Sequence, residues 1–123
     1  MTVGATGGER MKIKLYGLNA HAGLAPEAGA SVLNASGLAI ASLVQKRWLG
    51  AVRKQGKKGT SNIGVVRGGV ATNVVADFAE IDAEARSHDS GFRTAIADAI
   101  ENAFVEAAGK VKSDDGTLVR AEV

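Results

Sequence analysis

Hydrophobic and polar positions alternate first between residues 10 and 18, where Met11, Ile13 and Leu15 interleave with Lys12, Lys14 and Tyr16. A period of two is that of a strand with one buried face. Beyond a loop over 19–25, Pro26 and Glu27 suit a helix start, because proline gives up no needed N–H there and glutamate favours the positive end of the helix dipole. Leu33, Gly37, Ile40, Val44 and Trp48 recur at helical spacing. They predict a long amphipathic helix ending near Gly50, with the basic, glycine-punctuated stretch 53–59 as an exposed loop. Residues 61–67 are short and β-branched, Gly68 and Gly69 suit a tight turn, and 73–87 reads as the second arm of a hairpin. In that arm Ala79, Ile81, Ala83 and Ala85 share one face and Glu80, Asp82, Glu84 and Arg86 the other. Asp89 or Ser90 can cap a second helix with the stripe Phe92, Ile96, Ile100, Phe104, Ala107 and Val111, and 117–123 forms a last strand.

The element order is therefore β-α-β-β-α-β. Right-handed crossovers fold it most simply into an α+β ferredoxin-like sandwich: a four-stranded antiparallel sheet in the order 4-1-3-2, with two helices on one face. The first and third strands become neighbours, which sets Lys12 and Lys14 across from some of Glu80, Asp82 and Glu84.

Composition agrees with one core. The chain has 123 residues, 46% hydrophobic and 23% charged, enough for a single domain, placed at 10–123 behind a flexible lead-in at 1–9. No apolar run is long enough to span a bilayer, and the first residues lack the apolar segment of a secretory signal, so a cytoplasmic location without membrane association is expected. The absence of cysteine removes disulfides, thiolate nucleophiles and thiolate metal sites from consideration. A net charge of +2 is too small to argue for nucleic acid as a partner.

Candidate chemistry is sparse. His21 and His88 are the only imidazoles, and neither sits at a metal-binding spacing, so no metal site is expected in this chain. The acids of the long strand are evenly spaced along one face, which reads as an ion-paired surface and not as a carboxylate dyad. No glycine-rich phosphate loop lies between a strand and a helix. His21 reads either as a surface loop histidine or as a functional group at a strand end, where the small neighbours Ala20, Ala22 and Gly23 allow close approach.

The segment His21-Ala22-Gly23, followed by Pro26, Glu27 and Gly29, resembles the H-A-G-x-x-P-E-x-G motif of the dimerisation, or lid, domains of zinc-dependent exopeptidases and aminoacylases. A second block is similar to the same family: Asn62, Gly64, Gly68-Gly69, Asn73-Val74-Val75, then Glu84-Ala85-Arg86-Ser87. Relatives include carboxypeptidase G, succinyl-diaminopimelate desuccinylase, aminoacylases and peptidase T, and E-A-R-S-H-D looks nearest to peptidase T. Many of them carry proline where this chain has Ala76.

The resemblance implies a division of labour. Zinc and a water-activating glutamate would lie in a separate catalytic domain, and this chain would hold no cofactor and no hydrolase activity of its own. His21 would reach the partner subunit's active site and hydrogen-bond the oxyanion of the tetrahedral intermediate. Asn73 and Arg86 match substrate-holding positions, with small peptides or N-acyl amino acids as substrates. Asn73 reads alternatively as a hairpin cap and Arg86 as a partner of Glu84 or Asp89. The strand that opens on Asn62 and closes on Arg67 is expected at a sheet edge, where two copies could pair into a homodimer with their first helices nearby. Two rivals share the topology. An RNA-binding module would use the basic residues Lys46, Arg47, Arg53, Lys54, Lys57 and Lys58, but acids occupy the sheet face where bases would stack. A small-ligand regulatory module is compatible with fold alone.

Overall fold

The computed structural model describes residues 2–3 and 8–123. The strands are β1 (Thr2–Val3), β2 (Gly8–Tyr16), β3 (Gly50–Lys54), β4 (Lys57–Gly68), β5 (Phe78–Arg86) and β6 (Arg120–Glu122); the helices are α1 (Val32–Gln45) and α2 (Ser90–Ala108). All six strands join one antiparallel sheet in the order β1-β2-β5-β4-β3, with β6 also on β2. The run β6-β2-β5-β4 reproduces the expected 4-1-3-2 order. The expected count of four strands is corrected to six among the described residues.

The strongest sequence patterns became the central elements. Along β2, Met11, Ile13 and Leu15 are buried, and along β5 so are Ala79, Ile81, Ala83 and Ala85. Their face meets both helices in one core that includes Val32, Leu43, Ile96, Ile100 and Phe104. On the polar face the register sets Lys12 opposite Asp82 and Lys14 opposite Glu80. Lys12 Nζ lies 3.5 Å from Glu80 and 3.8 Å from Asp82. The β2–β5 pairing thus satisfies burial on one side and charge on the other.

Asp89 caps α2, its Oδ1 accepting the Phe92 N–H at 2.9 Å. The same bond holds its carboxyl below the ordinary aspartate range, with Lys57 at 3.4 Å adding to the effect.

The first helix differs from its expectation at both ends. Pro26–Ala28 forms only a 3₁₀ turn, because Gly29 is extended and Ala30 pairs with Leu18 as a β-bridge. The helix starts at Val32, where the Ser31 hydroxyl accepts the Asn34 N–H at 3.2 Å, and Arg47 at φ 61° marks its end. Its buried face is Val32, Ala35, Ser36, Ala39 and Leu43. Leu33, Gly37 and Val44, from the stripe expected to pack inward, are exposed instead. The helix is apolar around most of its circumference, so periodicity left two stripes available. Small residues face inward and allow a close approach to α2 and the sheet.

The stretch 53–59 is not a loop. It contains the β3–β4 hairpin, whose turn residues Gln55 (φ 54°) and Gly56 (φ 77°) both take the positive φ of a two-residue turn. The second arm of the β4–β5 hairpin starts at Phe78, five residues later than expected, because 73–77 bonds to the loop after β2 and not to the ladder. The last strand contracts to Arg120–Glu122. Of the lead-in expected over 1–9, Thr2–Val3 and Gly8–Glu9 are strand residues, and the rest lies outside the described residues.

Candidate functional site

Three backbone bonds lace the loop after β2 to the segment before β5. Gly17 N–H donates to Asp77 O at 2.7 Å, Ala22 N–H to Asn73 O at 2.9 Å, and Val75 N–H to Ala20 O at 2.9 Å. His21 and Val74 face each other as an antiparallel bridge. Asn19 adds a side-chain bond to Asp77 at 3.0 Å. Two loops far apart in sequence thereby become one short ribbon, with His21 and Asn73 on adjacent strands of it.

The histidine is fixed by its own loop. Its Nδ1 accepts backbone N–H groups from Gly23 at 3.0 Å and Leu24 at 3.1 Å. A nitrogen that accepts two N–H groups carries no proton, so in the neutral ring the proton sits on Nε2, on the opposite side. The ring is exposed. Chemically this is a preset hydrogen-bond donor at a strand end. Gly23 is part of the device, since a Cβ there would come within 3.2 Å of His21 Cε1.

Asn73 is exposed and contributes its carbonyl to the ribbon. It sits within a turn that the Val74 N–H closes on Ala71 O at 3.3 Å, in the connection that leaves Gly69 at φ 88° and runs on to Asp77. Ala76 is buried and its carbonyl accepts the Val32 N–H at 3.0 Å, which links this ribbon to the start of α1.

Arg86 stands at the other end of the sheet, on the last residue of β5. Eight residue steps separate it from Phe78, about 26 Å at the rise of a strand. It pairs with Glu84 through Nη2 at 3.2 Å and Nε at 3.3 Å. One copy of the domain therefore brings His21 and Asn73 together and keeps Arg86 apart from both. His88 is exposed beyond Arg86. Among the described residues no group of three or more histidine, cysteine, aspartate or glutamate side chains could hold a metal ion, and no helix is long and apolar enough to cross a membrane.

One further motif position has a structural role. Gly64 is the extra residue of a β-bulge, since Ile63 pairs with Ala83 and Val65 with Asp82. The model for the peptidase dimerisation domain matches residues 3–112. The chain belongs to that family.

Other members share both sequence and shape with this peptidase dimerisation domain. An uncharacterised Bacillus subtilis protein, YqjE, is 35% identical over 99 residues, covering 80% of this chain and 25% of the relative. A Staphylococcus aureus tripeptidase superposes with a TM-score of 0.69 at 30% identity, over 95% of this chain and 29% of that one. Aminopeptidase PepT from Bacillus cereus gives 0.66 at 30% identity, over 99% and 32%. The chain thus spans between a quarter and a third of the length of these proteins.

Sequence reasoning missed the groups that orient His21. The Gly23 and Leu24 N–H groups have no side-chain identity to read; the only sequence signal is the glycine two residues after the histidine. It also missed Glu9, treated as lead-in, which is 4% exposed and faces Arg93 of α2.

Proposed function

We propose that this domain pairs two subunits of a zinc-dependent peptidase or amidohydrolase and supplies His21 across the twofold to the partner's active site. Zinc and the water-activating base belong to a part of the protein outside these residues, and small peptides or N-acyl amino acids are the substrate class. The tripeptidase and the aminopeptidase among the relatives support a peptide substrate. We place the protein in the cytoplasm, a reading supported by the lack of cysteine. The β6-β2-β5-β4 core with both helices against one face supports a ferredoxin-like sandwich, enlarged by β1 and β3.

The observation that carries the reading is the orientation of His21. An Nε2–H donor preset by two backbone bonds suits an oxyanion, because it needs no reorganisation as charge develops. Asn73, on the adjacent strand of the ribbon, would contact the same substrate. Arg86 would take the substrate carboxylate, for which a guanidinium offers paired donors.

The separation of Arg86 from His21 and Asn73 supports a shared site between subunits. β3 covers β4 only from Lys57 to Ser61, leaving the outer edge of 62–68 without a strand neighbour among the described residues. Next to that edge, Leu33 of α1 lies over Gly68 and Gly69, and Leu33, Val44 and Val66 are 42%, 59% and 41% exposed. Antiparallel pairing of two such edges sets the 60-end of one β4 beside the 68-end of the other. Thr60 neighbours Arg86, and Gly68 leads into the loop that carries Asn73. The twofold thus draws Arg86 of one subunit toward the ribbon of the other.

Subunit complementation of the full-length protein tests this. His21→Ala and Arg86→Ala homodimers are each expected to be inactive, whereas dimers mixed from the two recover part of the activity. No recovery in mixed dimers, with dimerisation intact, would refute the shared site.

A further inference from the structure

A cavity of about 350 Å³ opens on the polar side of the sheet where β3, β4 and the end of β5 meet. Arg53, Lys58, Thr60, Arg86 and His88 line it. The register explains the gathering, since Arg53 lies opposite Lys58, and Thr60 opposite Arg86. Lys58 and Arg86 are thus diagonal neighbours, about 7–8 Å apart at the backbone.

The frame beneath these side chains is stiff. Ser87, 8% exposed, donates its hydroxyl to Lys58 O at 2.8 Å and accepts the Asp89 N–H at 3.2 Å. Gly59 packs so tightly that a Cβ there would lie 2.5 Å from Arg86 O and 2.8 Å from Ile96 Cδ1. Of the carboxylates nearby, Asp89 pairs with Lys57, outside the lining, and Glu84 pairs with Arg86 itself. Arg53 and Lys58 form no ion pair among the described residues, and every aspartate and glutamate of the chain is among those residues. Arg53 and Lys58 therefore give the cavity a local excess of positive charge that no ion pair among the described residues neutralises, in a shape that admits a small ligand.

We propose that Arg53 and Lys58 form a second anion subsite, which takes the side-chain carboxylate of a substrate whose main-chain carboxylate is held by Arg86. The substrate class is then a peptide ending in an acidic residue, or an N-acylated acidic amino acid. The inference rests on the reading of Arg86 as the carboxylate ligand. Two carboxylates a few bonds apart match two cationic groups one diagonal apart, and a second charge-assisted contact discriminates an acid from its uncharged amide. His88 and Thr60 add polar groups at the rim.

Amide chemical-shift titration of the 123-residue chain with N-acetyl-L-glutamate and N-acetyl-L-glutamine, at constant ionic strength, tests the subsite. N-acetylglutamate is expected to give saturable shifts at residues 53, 58, 60 and 86 and to bind at least tenfold more tightly than N-acetylglutamine. Arg53→Gln and Lys58→Gln should bring the first probe down to the affinity of the second and leave the second unchanged. Arg86→Gln should weaken both. Equal binding of both probes with no effect of Arg53→Gln or Lys58→Gln overturns the subsite, and if Arg86→Gln still weakens both, the reading of Arg86 survives. Unaltered binding of both probes to Arg86→Gln overturns that reading instead, and no saturable shift with either probe overturns the subsite.

Discussion

Glu9 and Arg93 form an ion pair at 3.4 Å on the helix side of the sheet, with their side chains 4% and 15% exposed. Thr94 Oγ1 lies 3.5 Å from the same Glu9 oxygen, and Glu9 Oε2 is buried with no hydrogen-bond partner among the described residues. The pair ties the start of β2 to the first turns of α2. Because Val3 of β1 pairs with Glu9, it also anchors the strand pairing at that corner of the sheet.

Removing one member of such a pair leaves the other charge buried, a loss of about 3–5 kcal/mol where burial is complete. Arg93→Ala is expected to fall toward the lower end of that range in urea unfolding. Replacing both residues with methionine should recover most of the loss, since an apolar pair of similar volume removes the desolvation cost. A double variant no better than Arg93→Ala would show that packing around the arginine stem, and not the charge, carries the effect.

The side-chain bonds of His21 stay within its own exposed loop, so His21→Ala should change the thermal midpoint of the domain little. On the role proposed for His21, the loss of one oxyanion donor is expected to lower kcat of the full-length protein by about 10²–10³-fold, with a smaller change in KM. Gly23→Ala should have a related effect, because the added methyl displaces the ring whose orientation the loop sets. Steady-state kinetics on both variants, beside their melting curves, separate position from presence.

The outer edge of β4 and the exposed stripe of α1 form one apolar margin. Val66→Lys or Leu33→Lys places a charge there at little cost to the monomer, the usual protection of an exposed edge. On the edge pairing proposed above, either change is expected to move the chain from dimer to monomer in size-exclusion chromatography with light scattering, while its circular dichroism stays the same.

Asp89 gives the stability a defined pH dependence. Its carboxyl is held below the ordinary aspartate range chiefly by the Phe92 N–H, so the folded state favours the ionised form. The stabilisation is present above the unfolded pKa and is lost as pH falls through the folded one. Asp89→Ala is therefore expected to lower the thermal midpoint at pH 7 and to differ less from the parent in strong acid. Asp89→Asn, which keeps a capping oxygen without the charge, should flatten that dependence.

How far the sequence could be read depended on whether the information was local. Alternation in β2 and β5, the stripe of α2 and its Asp89 cap were legible because each is specified by neighbours within one or two turns or residues. Opposite charges on Lys12, Glu80 and Asp82 then aligned two strands about seventy residues apart in sequence. The β3–β4 hairpin escaped notice because its turn is Gln55-Gly56 and its flanks, Lys54 and Lys57, look like a solvated loop.

The sequence by itself determined the central strands, the second helix and the family, through the His21 and Asn73 motif blocks and their order. Tertiary structure alone decided which stripe of α1 faces inward, since Leu33 and Val32 are equally apolar and only the fit of small residues against α2 distinguishes them. It decided that Glu9 is buried, because Arg93 arrives from 84 positions away. It also set His21 beside Asn73 and Arg86 at the far end of β5. The physical reason is common to all three: side-chain periods are written along the chain, whereas partners and distances arise only when the sheet closes.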